Sequence, residues 1–155
     1  MRIVEISNAA QRSATVAKII ETLPEWFSFP EANQRYIEGA ASKTVFAACD
    51  DQDQPVGAMV LRYHFETTAE IWWMGIKREY HRLGIGARLF EAAKSRARQN
   101  NCRALAVMTL SPRSPYLPYA NTRAFYQRQG FRLLLEVNES DPRNPLAWMT
   151  MDITR

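Results

Sequence analysis

The feature that most constrains the fold is a glycine-bearing turn between a β-rich run and a helix-forming run, within "AEIWWMGIKREYHRLGIGARLFEAAK" at residues 69–94. Gly84 and Gly86 lie where the helix begins. The first backbone N–H groups of a helix have no partner inside the helix, and they carry about half a positive charge. Glycine lets a phosphate approach such groups closely, but it also simply permits a tight turn. The segment therefore predicts a strand, a turn and a helix, with the turn either an anion site or an ordinary loop.

Two well-known phosphate-binding motifs do not fit this turn. A dinucleotide fingerprint needs a third glycine, but Leu89 stands at that position, and Asn100 and Asn101 stand where an acidic residue is required. A P-loop needs a Gly-Lys-Ser/Thr sequence, which does not follow. A nicotinamide enzyme and a P-loop nucleotidase are therefore not expected.

The other segments predict alternating strands and helices. The expected order is a strand at 2–7, a helix from 9, a short helix opened by Pro30, strands at 43–50, 55–66 and 69–76, the helix after Gly86, a strand at 102–110, a helix at 121–129 closed by Gly130, and strands at 131–137 and 146–153. Asn8 and Asn121 are expected to be helix N-caps. Residues 111–120 contain three prolines and are expected to be irregular, whereas the apolar run at 102–110 predicts burial on both faces of its strand. This order indicates an α/β architecture with one central sheet.

Composition limits the range of partners. A chain of 155 residues with 46% hydrophobic residues is the size of one domain, expected over residues 1–155. The net charge of +4 suggests an anionic partner, either nucleic acid or a phosphorylated cofactor. An RNA-binding aromatic signature, a zinc motif and a helix-turn-helix pattern are all missing, so no nucleic acid is expected as the partner.

Cysteine use and hydropathy indicate the compartment. Cys49 and Cys102 do not have metal-ligand spacing, so no metal is expected, and the polar N-terminus does not resemble a secretory signal. The longest apolar runs are far shorter than the roughly 20 residues that span a bilayer. These observations predict a cytoplasmic protein that does not enter a membrane.

A second motif, "TRAFYQRQGF" at 122–131, leads to a family resemblance. Together with "IKREYHRLGIGA" at 76–87, it resembles the GNAT superfamily of N-acetyltransferases, over all but about the first fifteen residues. That superfamily has Gln/Arg-x-x-Gly-x-Gly/Ala at the start of a helix and, later, an aromatic-Tyr pair followed by Gly-Phe. Four further segments, "LPEWFSFPEA", "AEIWWMGI", "YANTRAFY" and "NPLAWM", resemble those of small bacterial members of the superfamily. The identity of the acceptor does not follow from these segments. Two positions depart from the pattern: His81 replaces Gln or Arg, and Asn121 lies two residues too close to Tyr126, with Tyr119 in its place.

The resemblance implies a fold and a cofactor. The fold is a mixed, mostly antiparallel central sheet of about six to seven strands flanked by about four helices, splayed at the fourth and fifth strands. Acetyl-CoA would lie in that opening as co-substrate. The implied contacts are backbone pairing with the pantetheine arm by Met74, Gly75 and Ile76, and a pyrophosphate cradle from His81, Arg82, Leu83, Gly84, Ile85, Gly86 and Ala87. The side chains of Arg82 and Arg88 either add charge near the phosphates or are ordinary surface arginines.

Acetyl transfer to an amine also needs a base and an acid. An alkyl amine has a pKa near 10.4, so a proton must be removed before it can attack. Glu70 shares a predicted strand face with Trp72 and Met74, and the histone-acetyltransferase branch carries a general-base glutamate at this offset. The alternatives are a glutamate at an exposed strand start, and deprotonation through water with His64 or a backbone carbonyl as the last acceptor. Tyr126 matches the tyrosine that protonates the departing thiolate in the superfamily, although a core aromatic is the other interpretation.

The expected function is an acetyl-CoA-dependent N-acetyltransferase that acts on a primary amine of a small molecule or peptide by direct attack in a ternary complex. Buried cysteines are inert, so a covalent cysteine intermediate is not expected. Walls of the acceptor site are expected from Trp26, Phe27, Tyr116 and Tyr119, unless these aromatics only cap the core. A monomer or a homodimer is expected. The alternatives are a catalytically silent acyl-CoA-binding sensor domain and, more weakly, a nucleic-acid-binding module.

Overall fold

A seven-stranded sheet in the order β1-β2-β3-β4-β5-β7-β6 organises the fold. The computed structural model describes residues 1–137 and 141–154. In chain order the elements are β1 (Arg2–Glu5), α1 (Ala9–Ile20), α2 (Pro30–Ala40), β2 (Thr44–Cys49), β3 (Pro55–His64), β4 (Thr68–Ile76), a 3-10 turn (Arg78–Tyr80), α3 (Ile85–Gln99), β5 (Ala104–Leu110), α4 (Pro118–Gln129), β6 (Arg132–Val137) and β7 (Leu146–Asp152). The predicted mixed sheet and the four α-helices are confirmed over the described residues.

Strands β4 and β5 of this sheet run parallel to each other. β4 pairs with β5 in parallel from Thr68 opposite Ala104 to Ile71 opposite Val107, while β4 itself continues to Ile76 and β5 to Leu110. The neighbouring pairs β1–β2, β2–β3, β5–β7 and β6–β7 are antiparallel. A mostly antiparallel sheet with a parallel pair at the fourth and fifth strands agrees with the fold that the resemblance implied.

The chain divides into two compact units. Unit 1 comprises Met1–Arg62 and Trp72–Arg96, and unit 2 comprises Tyr63–Ile71 and Ala97–Arg155. A single functional domain over residues 1–155 stays a prediction.

Helices α1 and α2 cover the core of unit 1. Asn8 caps α1 as predicted, because its side-chain oxygen accepts from the Gln11 amide at 2.9 Å. Pro30 opens α2 in the first turn, where its missing N–H costs nothing. The apolar stripe of α1 meets β2, β3 and β4 in a buried cluster, in which each aliphatic side chain contributes about 1.5–3 kcal/mol. Its members are Val16, Ile19, Ile20, Leu23, Ala40, Val45, Ala58, Val60 and Trp73.

Strand β5 in unit 2 is buried on one face only. Leu105, Val107 and Thr109 are buried, whereas Met108 is exposed. The prediction of burial on both faces was therefore wrong. The less covered face carries Ala104, Ala106 and Met108, which are apolar but do not require full burial. The sequence therefore did not show the alternation of buried and exposed positions along β5.

Helix α4 begins earlier than its sequence suggested. Its first residue is Pro118, and Asn121 lies inside the helix, so the prediction that Asn121 is an N-cap was wrong. The last proline of the predicted irregular segment opens the helix, since proline is favoured in a first turn. Gly130 ends α4 in a left-handed conformation with φ 105°, as predicted. Among the residues that the structure describes, no helix combines the length and apolar character needed to cross a membrane.

Candidate active site

The glycine loop, residues 81–87, follows the 3-10 turn after β4 and includes the first turn of α3. Gly84 has φ 77°, and a side chain added to it would meet no atom within 4 Å. The Arg88 amide donates to the Gly84 carbonyl at 3.2 Å, so the amides just before it precede the first hydrogen bond of α3. The loop therefore offers an open space in front of a helix N-terminus, and this geometry fits a pyrophosphate.

Arg82 adds backbone strain to the same loop. Its φ is 63°, in the left-handed region that non-glycine residues seldom occupy, and its side chain is exposed. Such a conformation costs about 1–2 kcal/mol and is concentrated at ligand-binding segments.

His81 fastens the glycine loop to the end of β4. Its Nε2 lies 2.7 Å from the Ile76 carbonyl oxygen, and because a carbonyl only accepts, Nε2 is the donor. The imidazole also packs edge-on against Trp26, with ring centroids 5.8 Å apart. The residue that departs from the superfamily pattern therefore positions the loop through its side chain.

The other members of the loop divide into buried and exposed groups. Ile85 and Gly86 are buried, so Ile85 anchors the helix start and can meet a ligand only through its backbone. Leu83 is 65% exposed and Ala87 is half-buried. The Arg88 guanidinium donates to the Met1 carbonyl at 3.3 Å, which favours the surface-arginine interpretation for Arg88.

The last residues of β4 are arranged by packing. Met74 and Ile76 are half-buried, and Gly75 is buried. A methyl group on Gly75 would lie 2.8 Å from the Trp73 ring and 3.0 Å from Ile19. Gly75 is therefore required by the Trp73 indole that lies beside it.

Glu70 in β4 forms a close pair with His64 of β3. Its Oε2 lies 2.5 Å from His64 Nε2, and Glu70 is only 3% exposed. The interpretation of Glu70 as an exposed glutamate was therefore wrong. The sequence named His64 as a candidate last acceptor but did not predict the direct contact. The signal was the hairpin, because His64 ends β3 and Glu70 lies only two residues beyond the start of β4, and side chains near a short connection can meet diagonally across two strands.

Tyr126 in α4 is buried between aromatic rings. Its ring makes edge contacts with Phe125 and Phe131 at centroid distances of 5.3 and 5.4 Å. Burial raises the pKa of Tyr126 above its ordinary value of 10.0, and the neighbouring Tyr119 raises it further. The hydroxyl therefore keeps its proton at neutral pH, as a proton donor must.

Comparison with known proteins gives a decisive match. Residues 6–131 match the acetyltransferase (GNAT) family. The chain belongs to the GNAT acetyltransferase family. No curated protein matches the sequence.

Solved structures agree with the fold of this GNAT acetyltransferase. A Desulfovibrio desulfuricans protein assigned to the GNAT acetyltransferases is 19% identical, with a TM-score of 0.81 over 98% of this chain and 99% of that one. An aminoglycoside 6'-N-acetyltransferase in complex with coenzyme A is 18% identical, with a TM-score of 0.75 over 100% and 98%. The aminoglycoside 6'-N-acetyltransferase of Enterococcus faecium is 17% identical, with the same TM-score over 100% and 98%.

Within this GNAT acetyltransferase, the candidate site residues divide between the two units. Residues 74–76 and the glycine loop belong to unit 1, whereas His64, Glu70 and Tyr126 belong to unit 2. Of the predicted proton-transfer residues, the structure brings His64 and Glu70 into direct contact, whereas the ring of Tyr126 contacts Phe125 and Phe131.

The aromatic residues expected around the acceptor pack against protein in both units. In unit 1, Phe27 stacks at a tilt on Trp73 at 5.4 Å, and Glu25 beside Trp26 forms an ion pair with Arg78. In unit 2, the Tyr116 and Tyr119 rings lie 6.0 Å apart. Packing against the core accounts for Phe27, whereas Tyr116 is exposed and Tyr119 is half-buried.

The cysteines of this acetyltransferase are buried thiols. Burial raises the pKa of both Cys49 and Cys102, so the reactive thiolate is disfavoured at neutral pH. Among the described residues, no group of three or more His, Cys, Asp and Glu side chains could hold a metal ion.

Proposed function

We propose that this acetyltransferase transfers the acetyl group of acetyl-CoA to a primary amine of a small molecule or peptide. The open space at Gly84, in front of α3, is the observation that carries the proposal. The coenzyme A complex of a solved structure with the same fold, and the aminoglycoside acceptors named for two such structures, support it.

In this proposal the glycine loop holds the pyrophosphate mainly through backbone amides. The backbone of residues 74–76 pairs with the pantetheine arm, while His81 keeps the loop against β4 by its bond to the Ile76 carbonyl. One lone pair of that carbonyl is thereby occupied, so the pantetheine amide would use the other lone pair or a neighbouring residue.

Two side chains of unit 2 would carry the proton transfers. Glu70 drives removal of the proton from the attacking amine, directly or through a further acceptor. As the carbon–nitrogen bond forms and the carbon–sulfur bond breaks, Tyr126 donates its proton to the departing sulfur. The acylated nitrogen loses a second proton, which returns to the Tyr126 oxygen directly or through water, so a net one proton is released for each ammonium group acetylated.

The test is release of coenzyme A from acetyl-CoA, measured against a panel of primary amines that includes aminoglycosides, polyamines and peptide N-termini. We expect saturable turnover with at least one amine class, and a loss of about 10²–10⁴-fold in kcat for Tyr126→Phe with little change in acetyl-CoA affinity. Binding of acetyl-CoA with no turnover across the panel, and no effect of Tyr126→Phe, would favour the silent sensor domain.

A further inference from the structure

The His64–Glu70 pair allows a more specific assignment of the base. We propose that His64 Nδ1 is the atom that receives the amine proton, and that Glu70 is the buried carboxylate that orients and compensates the ring. This assignment rests on the proposed function and names the catalytic residue on which that function depends.

Exposure distinguishes the two members of the pair. Glu70 has a side chain that is 4% exposed, whereas the His64 side chain is 39% exposed. His64 is the last residue of β3 and Glu70 the third residue of β4, and residues 65–67 join the two strands. Both residues belong to unit 2. An amine that arrives from solvent therefore reaches the imidazole, while the carboxylate stays behind it.

The hydrogen bond determines which ring nitrogen is available. A carboxylate only accepts, so at 2.5 Å the proton between the two groups belongs to His64 Nε2. Neutral imidazole then carries its lone pair on Nδ1. When Nδ1 takes the amine proton, the imidazolium is held beside the Glu70 charge in a poorly solvated position, where opposite charges interact strongly.

Every atom in this step is accounted for. The ammonium nitrogen loses one proton to Nδ1 and attacks the thioester carbon with the freed electron pair. The acylated nitrogen then loses its second proton, which returns to the Tyr126 oxygen after that residue has protonated the departing sulfur. His64 later releases that proton from Nδ1 to water, which restores the neutral ring. Glu70 accepts the hydrogen bond from His64 Nε2 both before and after the transfer.

Substitutions at His64 separate proton transfer from packing. His64→Ala should lower kcat by about 10²–10⁴-fold, and added imidazole should restore turnover in proportion to its concentration. His64→Gln keeps an N–H that can bond Glu70 but has no basic nitrogen, so it should be as impaired as His64→Ala. Acetyl-CoA affinity measured by calorimetry should stay within about twofold of wild type in both variants and show that they are folded.

Substitutions at Glu70 test its positioning role. Glu70→Gln should lower kcat by less than His64→Ala, and the double variant should be no worse than His64→Ala, because the two residues act as one unit. Glu66→Gln is the matched control, since Glu66 is an exposed carboxylate in the same hairpin and its loss should leave turnover unchanged.

Several outcomes would overturn the assignment. Wild-type turnover in His64→Gln, together with an inactive Glu70→Gln, would make Glu70 itself the base while the proposed function stands. If the wild type turned over none of the amines, both the His64 assignment and the proposed function would be refuted. A nitrogen-15 spectrum of the chain, which contains only two histidines, should place the His64 proton on Nε2; a proton on Nδ1 would contradict the proposal without any activity measurement.

Discussion

His81 links the glycine loop to β4 through a single hydrogen bond to the Ile76 carbonyl. We expect His81→Ala to weaken acetyl-CoA binding by about 2–12-fold, the equivalent of one neutral hydrogen bond worth about 0.5–1.5 kcal/mol. A glutamine side chain also retains an N–H donor, so His81→Gln should lose less affinity than His81→Ala. Titration calorimetry with acetyl-CoA measures both, and equal affinities for the two variants and wild type would show that the bond does not position the loop.

Tyr126 should make the stability of the fold sensitive to alkaline pH. Its pKa is raised in the folded state, so folding retains a proton that the unfolded chain loses near the ordinary value of 10.0. The contribution is fully present below that value and is lost as pH rises towards the raised pKa. The free energy of unfolding of wild type should therefore fall more steeply above pH 10.0 than that of Tyr126→Phe.

Chemical denaturation at several alkaline pH values measures this difference. Tyr116→Phe is the control, because it removes a hydroxyl from an exposed tyrosine. Parallel pH dependence in wild type and Tyr126→Phe would indicate that the Tyr126 hydroxyl is not buried as described.

Gly84 is the position in the glycine loop at which an added negative charge should block acetyl-CoA binding. Gly84→Glu should abolish measurable acetyl-CoA binding, because a carboxylate would enter the open space where the pyrophosphate is proposed to lie. Gly84→Ala adds only the cost of a side chain at positive φ, about 1–2 kcal/mol of stability, and should bind better than Gly84→Glu.

The control for backbone strain is Gly130→Ala. Gly130 also has positive φ, and an added methyl would lie at an ordinary 3.5 Å from Met151. It should lose stability like Gly84→Ala while acetyl-CoA affinity is unchanged. Unaltered affinity in Gly84→Glu would refute the phosphate role of the loop.

Strands β5 and β6 of unit 2 should tolerate truncation very differently. Leu105 in β5 is fully buried, so Leu105→Ala should cost about 2–5 kcal/mol. Leu135 in β6 is 51% exposed on the strand at the end of the sheet order, so Leu135→Ala should cost less than about 1 kcal/mol. Urea denaturation measures both, and a similar loss in the two variants would mean that β6 is covered in solution.

Local signals in the sequence were enough to predict most elements. Asn8, Pro30 and Gly130 mark helix ends through interactions with residues only a few positions away, and all three predictions were confirmed. The turn at Gly84 was predicted for the same reason. Proline is common both in loops and in the first turn of a helix. The sequence alone therefore did not show that Pro118 begins α4.

Features that depend on distant partners were not predictable from the sequence. Burial of β5 depends on which elements pack against each of its faces. An apolar run in the sequence does not identify those elements. The His64–Glu70 contact depends on the exact register across a hairpin, because a shift of one residue would turn either side chain to the opposite face. Sequence motifs therefore identified the candidate site residues, while the structure was needed for the bond between them.

At the scale of the whole molecule, the ligand that stabilises the native state distinguishes the possible functions. A net charge of +4 suits a phosphorylated cofactor as well as nucleic acid, so charge alone does not decide. Acetyl-CoA at 100 times its dissociation constant should stabilise the folded chain by about 2.7 kcal/mol. For a protein of this size that corresponds to a rise in Tm of about 5–10 °C.

Tryptophan fluorescence should report this shift, because Trp26, Trp72 and Trp73 all belong to unit 1, which also contains the whole candidate cofactor set. Gly84→Glu should lose the rise in Tm, whereas Gly130→Ala should keep it from a lower starting value. Duplex DNA at physiological salt should produce no rise, since the charge is small and its effect is screened. A rise with DNA and none with acetyl-CoA would favour the nucleic-acid-binding alternative, because a native state is stabilised only by what it binds.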